Sequence, residues 1–441
     1  MNSKSSMTRR AALGAMAAGL SAPFVFRHYT TAAPSETLNH ASFGASGQAG
    51  SDIGAFAGST HFKLVAVAEV DLSRAAGIKK KFPDVKVYQD WRELLDKEKS
   101  LDSVNVSTPD HAHAPITMRA IQRGLHVYTQ KPLTQTIYEA RQLAKAAADK
   151  KVVSQMGIQI HSAAEHRTIV AIIQSGAIGK VTEVHSWSGK QWGDRDPRPK
   201  REDPVPKTLN WDVWLGVATE RPFIGNGYYH PSNWRKRLDF GTGTFGDMGC
   251  HILDPVFGAL ALTAPKSVRS EGDQPNEDSW GLDNRVKYSF PGTKYTADQL
   301  SLTWYNGELR PPEEILKKAG TTKVSDQGSI YIGTEGVMYS PYIGFPVLLP
   351  AEKFRDARLP RLGGENHYHQ FLEACRGNGT TSAPFSYSGP LTESVLLGCL
   401  STRFPEKTLE WDAAKLKVTN EEAANKFVRR QYRKEWEVEG L

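Results

Sequence analysis

Along this chain the spacing of apolar residues changes character once, near residue 157. Before that point, short apolar runs alternate with stretches of helical period. LNHASFG, KLVAVAEVD, the run Val85 to Tyr88, SVNVST, HVYTQ and VVSQMG read as strands, and SDIGAFAGS, SRAAGIKKKF, DWRELLDK, ITMRAIQRG and YEARQLAKAAADK between them read as helices. Strand and helix alternating over residues 39–157 predict an α/β domain, doubly wound around a parallel sheet. After Gly157 comes a helix, AEHRTIVAIIQSG, and then VTEVHSWSG, RVKYSF, ADQLSLTWY and SIYIGT, in which apolar and polar positions roughly alternate. Residues 158–441 are therefore expected to form an α+β domain with a largely antiparallel open sheet. Residues 190–245, rich in Pro, Gly, Trp and Arg, read as a long ordered loop region, because loops of that length are functional or disordered and the aromatics speak against disorder.

Composition alters the picture at the N-terminus. The 441 residues are 39% hydrophobic and 23% charged, as in ordinary globular chains. Thr8-Arg9-Arg10, however, precedes an apolar run of small residues from Ala11 to Phe26, and Thr31-Ala32-Ala33 offers a cleavage site. Residues 1–33 look like a twin-arginine export signal, which implies a periplasmic or otherwise exported protein. A membrane anchor is the competing reading, but this run is shorter than the roughly 20 apolar residues a span needs. No stable membrane insertion is expected after cleavage.

Four of the 55 basic residues (Lys4, Arg9, Arg10, Arg27) lie in that segment, which leaves 51 against 48 acids, a net charge of +3. Neither this balance nor any basic, aromatic-rich cluster argues for nucleic acid. Cys250, Cys375 and Cys399 show no CxxC spacing and are odd in number, so a disulfide framework is not expected. That fits export of a chain already folded in a reducing cytoplasm.

The first strand runs into GASGQAG. A dinucleotide fingerprint asks for Gly at the tight turn and for small residues where the backbone meets the pyrophosphate and where helix packs on strand. Gly44, Ser46 and Ala49 take those places, with Ser46 a small departure and Gly47 keeping the turn open. Glu69, 25 residues beyond Gly44, is placed to meet the adenosine ribose hydroxyls; Asp71 competes for that role, and either acid could instead cap a helix. An acid there would repel a 2′-phosphate, which favours NAD while leaving NADP open.

STPDHAHAPITMRAIQRGLHVYTQKPLT and FGDMGCHILD together resemble the signatures of the glucose-fructose oxidoreductase, inositol dehydrogenase and MocA family (Gfo/Idh/MocA), and the likeness runs from residue 39 to the C-terminus. That family has a threonine-proline turn after the fourth strand (Thr108, Pro109), a Glu-Lys-Pro motif after the fifth and an Asp-x-Gly-x-His helix in the second domain. Here Gln130 replaces the glutamate, so a carboxylate contact to the cofactor ribose would become an amide's. The resemblance implies a cis Lys131-Pro132 bond, His251 as acid-base, Asp247 orienting it or holding a neighbouring hydroxyl, and Lys131 bonding the reacting oxygen, with the roles of Lys131 and His251 open to exchange. It also implies His113 near the nicotinamide end, unless it caps the following helix, and a homo-oligomer, dimer or tetramer, formed through the open sheet.

Read physically, Asp247, His251 and Asp254 share a helical face, although Pro255 should distort it. A structural cluster and an acid-base pair are both compatible with that spacing; a metal site is not expected, because no further His/Asp/Glu set completes it. Trp192, Trp234 and Arg235, with Tyr228, Tyr229 and His230, could supply ring faces and donors to a sugar or could simply pack. The expected activity is oxidation of a secondary hydroxyl of a sugar, glycoside or polyol by tightly retained NAD. An NAD-dependent glycosidase, working by transient oxidation, elimination and re-reduction, is the alternative, and a sugar-binding protein with a vestigial site is a third.

Overall fold

The computed structural model describes residues 36–321 and 323–441, so the segment read as an export signal lies outside the described residues. Six strands, β1 (Leu38–Phe43), β2 (Phe62–Ala68), β3 (Lys86–Tyr88), β4 (Ser103–Val106), β5 (His126–Gln130) and β6 (Ser154–Gly157), form one parallel sheet in the order β3-β2-β1-β4-β5-β6. Helices α1 (Gln48–Phe56), α2 (Ala76–Lys81), α3 (Trp91–Lys97), α4 (Asp110–Gln122) and α5 (Ile137–Lys150) make the crossovers. The doubly wound domain is thus the one the alternation predicts. Its central strands are covered on both faces, and their polar members satisfy one another: the His40 ring meets Ser103 Oγ at 2.8 Å and Asn105 Oδ1 at 3.0 Å. Burial pushes the His40 imidazole down to about 4, so it sits there neutral.

One boundary differs from expectation. α4 starts at Asp110, six residues before the run ITMRAIQRG, because Pro115 is accommodated within its second turn instead of marking the start. The consequence for the site is large, since Asp110, His111 and His113 become helical and face inward.

The second domain opens with α6 (Ala164–Gln174) and carries a nine-stranded sheet of β7 (Val181–Ser188), β8 (Ser267–Gly272), β9 (Asn284–Pro291), β10 (Thr296–Asn306), β11 (Gln327–Gly333), β12 (Val337–Pro341), β13 (Val347–Leu349), β14 (Thr408–Asp412) and β15 (Lys417–Val418). The order is β13-β12-β11-β7-β10-β9-β8-β14-β15, antiparallel throughout except for β7 beside β10. Before α8 begins at Gly243, the region from residue 190 holds the short helix α7 (Trp211–Leu215) and one 3-10 turn, Asn233–Lys236. Its order comes from its own aromatic core, in which Trp214, Tyr229, Trp234 and Phe240 are buried together.

Helix α8 (Gly243–Ile252) is followed at once by α9 (Asp254–Leu260); beyond two short helices, Glu313–Lys318 and Ala351–Phe354, come the helices labelled α10 (His367–Cys375) and α11 (Phe385–Ser401). α11 is apolar on almost every side and is buried accordingly, packed on α5 of the first domain and α8 of the second. Arg141 of α5 and Glu393 of α11 close that junction with two hydrogen bonds of 2.7 Å. The three cysteines are buried and unbridged.

Candidate active site

A cleft of about 470 Å³ opens at the carboxyl ends of β1, β2, β4 and β5, where ligands of parallel sheets bind, and the second domain forms its far wall. Its near end is the turn after β1. Gly44 has φ +100°, and a Cβ there would lie 2.8 Å from Ala49 Cβ and 2.9 Å from Ser107 O, so both small residues are steric requirements. Gly47, at φ +58°, opens α1 without any side-chain cap, which leaves the first amides of the helix facing the cleft. Ser46 Oγ and Thr108 Oγ1 are buried here with no hydrogen-bond partner among the described residues. Orphaned donors beside an uncapped helix N-terminus suit the phosphates and ribose of a dinucleotide.

The two acids after β2 separate clearly. Glu69 lines the cleft, its carboxylate accepting from Ala45 N (3.1 Å) and Asp71 N (3.2 Å), and burial raises its pKa against those two bonds. Asp71 instead caps the 3-10 turn Leu72–Ala75 through Ser73 N (3.1 Å) and Oγ (2.7 Å). Arg74, which sequence reasoning missed, also lines this end, with its guanidinium 3.8 Å from where a Cβ on Gly47 would be.

Pro109 and Gln130 line the middle of the cleft. His113 also borders it but is fully buried, and its ring nitrogens are turned to Thr108 O and Pro132 O, each at 2.8 Å. It therefore braces the turn after β4 against the turn after β5 from within the cleft wall. The Lys131-Pro132 peptide is cis, as the family resemblance implies. Gln130 Nε2 is committed to Asp52, at 2.9 and 3.2 Å.

At the far end the two distant motifs meet. Lys131 Nζ donates to Asp247 Oδ1 at 2.7 Å and to the Asp247 carbonyl at 2.9 Å, across 116 residues of chain. Arg235 Nε reaches the same carboxylate oxygen at 3.0 Å, with its guanidinium 4.2 Å from the Trp234 ring and 5.4 Å from Trp192. Burial opposes the charge on Asp247, but Lys131 and Arg235 override it and hold the carboxyl well below the usual range. His251 stands one helical turn on. Burial first, then the Lys131 charge, push its imidazole down to about 3, and Nδ1 is buried without a hydrogen-bond partner among the described residues. Asp247 forms no hydrogen bond with it among the described residues, so the expected orienting contact is absent and Lys131 and Arg235 take its place.

Other expectations sort by packing. Tyr229 is fully buried in the aromatic core and Tyr228 donates to Asp278 Oδ2 at 2.8 Å, so these two pack, while Trp192, Trp234, Arg235 and His230 line the cleft. Asp254 does not share the face of Asp247 and His251: the helix breaks at Leu253, where Pro255 follows, and the carboxylate turns to His161 Nδ1 (2.9 Å), Tyr387 OH (2.6 Å) and His166 Nδ1 (3.1 Å). This His161, His166 and Asp254 group is the metal-type cluster among the described residues; its two histidines are close in sequence, but the carboxylate comes from a distant segment, so spacing alone does not reveal it.

Asp110 was also missed. It lines the cleft, is 3% exposed and accepts from Thr242 Oγ1 at 2.7 Å. Burial pushes it up to about 7, against the pull of Thr242, Arg235 and Lys131. In sequence it is simply an acid in the first turn of a helix, which the helix dipole favours anywhere.

Two models of the Gfo/Idh/MocA family match this chain in succession: the NAD-binding Rossmann fold over residues 38–158 and the C-terminal alpha/beta domain over residues 163–297. The chain is an oxidoreductase-family protein with an NAD-binding Rossmann domain. It belongs to the Gfo/Idh/MocA family. It is 24% identical over 188 residues to the levoglucosan dehydrogenase of Pseudarthrobacter phenanthrenivorans (43% of this chain, 40% of that one) and 24% identical over 217 residues to the NADP-dependent scyllo-inositol 2-dehydrogenase of Bacillus subtilis (49% and 50%). The matched stretches thus span half or less of those relatives. An inositol dehydrogenase homologue of Azotobacter vinelandii, solved with NADH and myo-inositol, shares the fold at a TM-score of 0.58 and 17% identity, over 86% of this chain and 98% of that one.

Two outcomes follow from this geometry. Because folded Asp110 keeps its proton to about pH 7 while an ordinary aspartate loses it near 3.8, the folded state holds the extra proton between those values and stability falls as pH rises through them. Asp110→Asn, whose amide oxygen can still accept from Thr242, is expected to raise the melting temperature more at about pH 8 than at about pH 5; equal or lowered values at both would contradict the assignment. For the cofactor, Glu69→Ser is expected to improve NADP binding relative to NAD by ~10-fold, the scale of a charged hydrogen bond, with Arg74 receiving the added phosphate. An unchanged preference in that variant, shifted instead by Asp71→Ser, would move the role to the capping acid.

Proposed function

We propose that this chain is an exported, NAD-dependent dehydrogenase that oxidises a secondary hydroxyl of a sugar, glycoside or polyol. The observation that carries the reading is the bond from Lys131 to Asp247, which sets a cation and an unprotonated histidine at the end of a dinucleotide cleft. Support also comes from relatives whose names specify levoglucosan and scyllo-inositol as substrates.

The proton bookkeeping fits these residues. Two of the three N–H bonds of Lys131 are spent on Asp247, and the third is available to a substrate oxygen. His251, neutral and lining the cleft, can take the hydroxyl proton on its imidazole as the carbon gives up its hydrogen with the bonding pair. Bound NAD would supply the acceptor for that hydride. Arg235, fixed between Asp247 and two indole rings, presents its remaining donors to neighbouring hydroxyls, while Trp234 and Trp192 offer apolar faces to a ring. Tight retention of the nucleotide belongs to the same proposal, since export leaves no soluble pool to exchange with.

Lys131→Ala and His251→Ala are each expected to keep the fold and the nucleotide and to lose at least ~100-fold in turnover, the scale of a positioned acid-base group. Near-normal rates in both single variants would remove the site. Stoichiometric NADH marks the dehydrogenase, and substrate loss without it marks the redox-neutral glycosidase. Gel-filtered protein, denatured and assayed for nucleotide, should release about one NAD(H) per chain, as a slow off-rate would allow. An empty protein that works only with added millimolar NAD would sink the retained-cofactor part of the proposal.

A further inference from the structure

Asp52 is a fully buried carboxylate on α1, one turn beyond the glycine turn. Four neutral donors hold it: Gln48 Nε2 at 2.7 Å, Ser107 Oγ at 2.7 Å, Tyr368 OH at 2.8 Å and Gln130 Nε2 at 2.9 and 3.2 Å. Amide N–H groups can only donate, so Gln48 and Gln130 fix its oxygens as acceptors. Gln48, Ser107 and Gln130 themselves line the cleft, from the start of α1, the turn after β4 and the end of β5. Tyr368 reaches across from α10 and in turn accepts from Gln159 Nε2 at 2.9 Å, another residue of the cleft wall.

The Gln130 amide fills the space beside β6 that a Cβ on Gly157 would need: such an atom would come within 2.7 Å of Gln130 Nε2 and 3.0 Å of Oε1. A glutamate at 130, as in the Glu-Lys-Pro motif, would therefore set a second carboxylate where Nε2 now stands 2.9 Å from Asp52. Two carboxylates that close cannot both ionise. An amide turns the repulsion into a hydrogen bond.

We propose that Asp52 is a positioning residue of the cofactor site, and that it carries, from α1, the negative charge that the family motif places beside the lysine. Gln130 and Asp52 then form one matched unit, which holds the wall of the cleft in register from the glycine turn to Lys131. This inference rests on reading the cleft as the NAD site.

The test is a double-mutant cycle read by NADH fluorescence titration of protein freed of retained nucleotide, using the parent, Gln130→Glu, Asp52→Asn and the double variant. Each single change is expected to weaken NADH binding by ~10-fold or more at about pH 8, the scale of a charged hydrogen bond in a buried network. The loss in Gln130→Glu should shrink toward about pH 5.5, where one carboxylate of the pair takes a proton. The double variant exchanges amide and carboxylate between the two positions and should bind within ~3-fold of the parent, a rescue that independent losses cannot give. Additive losses in the double variant, or parental binding by Gln130→Glu, overturn the proposal. If a single variant fails to fold, the double variant decides: folded with near-parental affinity supports the pairing, and unfolded or weak binding overturns it. A parent chain that binds no NADH overturns the cofactor reading itself, and this inference with it.

Discussion

The carboxylate of Asp247 holds two cations at once, Lys131 at 2.7 Å and Arg235 at 3.0 Å, almost out of water. Charges in such a place persist only when paired and hydrogen-bonded, and removing one partner of a buried pair costs on the order of 3 kcal/mol because the other is left exposed to a low dielectric. Taking Asp247 away would strand both cations against each other, and so it shapes the cleft as much as it serves any chemistry. The same pair fixes where the turn after β5 meets α8. The first domain contributes the glycine turn and the second contributes His251, and that bond ties the two together across the cleft.

Other ties repeat the arrangement away from the chemistry. Arg141 and Glu393 clamp α5 to α11, Tyr432 OH donates to Glu139 Oε1 at 2.7 Å, and Trp436 lies under the guanidinium of Arg92 at 3.9 Å. The last residues of the chain thus return to the helices of the first domain. A cleft walled by two domains needs such cross-bracing, because a displacement of about 1 Å between them is enough to spoil a reacting geometry.

The parallel domain was legible in the sequence because each of its elements announces itself locally, by period, by turn residue or by cap. The second domain was legible only as a texture: α11 is apolar all round, so its buried faces give no helical stripe, and Pro390 within it reads as a breaker. Within the site, Gly44, Gly47, Glu69, Lys131, Asp247 and His251 carry motif spacing and are brought to the cleft. Asp52 and Asp110 carry none. Asp52 sits on a short helix where an acid would ordinarily be solvated, and Asp110 looks like a dipole-complementing acid in a first turn; their meaning comes from Gln130, Tyr368 and Thr242, which are distant in sequence. The misplaced Asp254 errs the other way, since helical spacing put it with His251 until Pro255 turned the chain.

In the proposed reaction a carbon-bound hydrogen of a carbohydrate or polyol passes to NAD within this cleft. The most direct measurement is deuterium transfer: incubate the purified protein with a panel of ring-deuterated sugars, glycosides and cyclic polyols, then release its nucleotide and weigh it by mass spectrometry. At least one panel member is expected to yield reduced nucleotide heavier by one deuterium, and Lys131→Ala and His251→Ala are expected to abolish the label while still holding NAD. Nucleotide that stays unlabelled with every compound, in a protein shown to bind both NAD and one of those sugars, would contradict it.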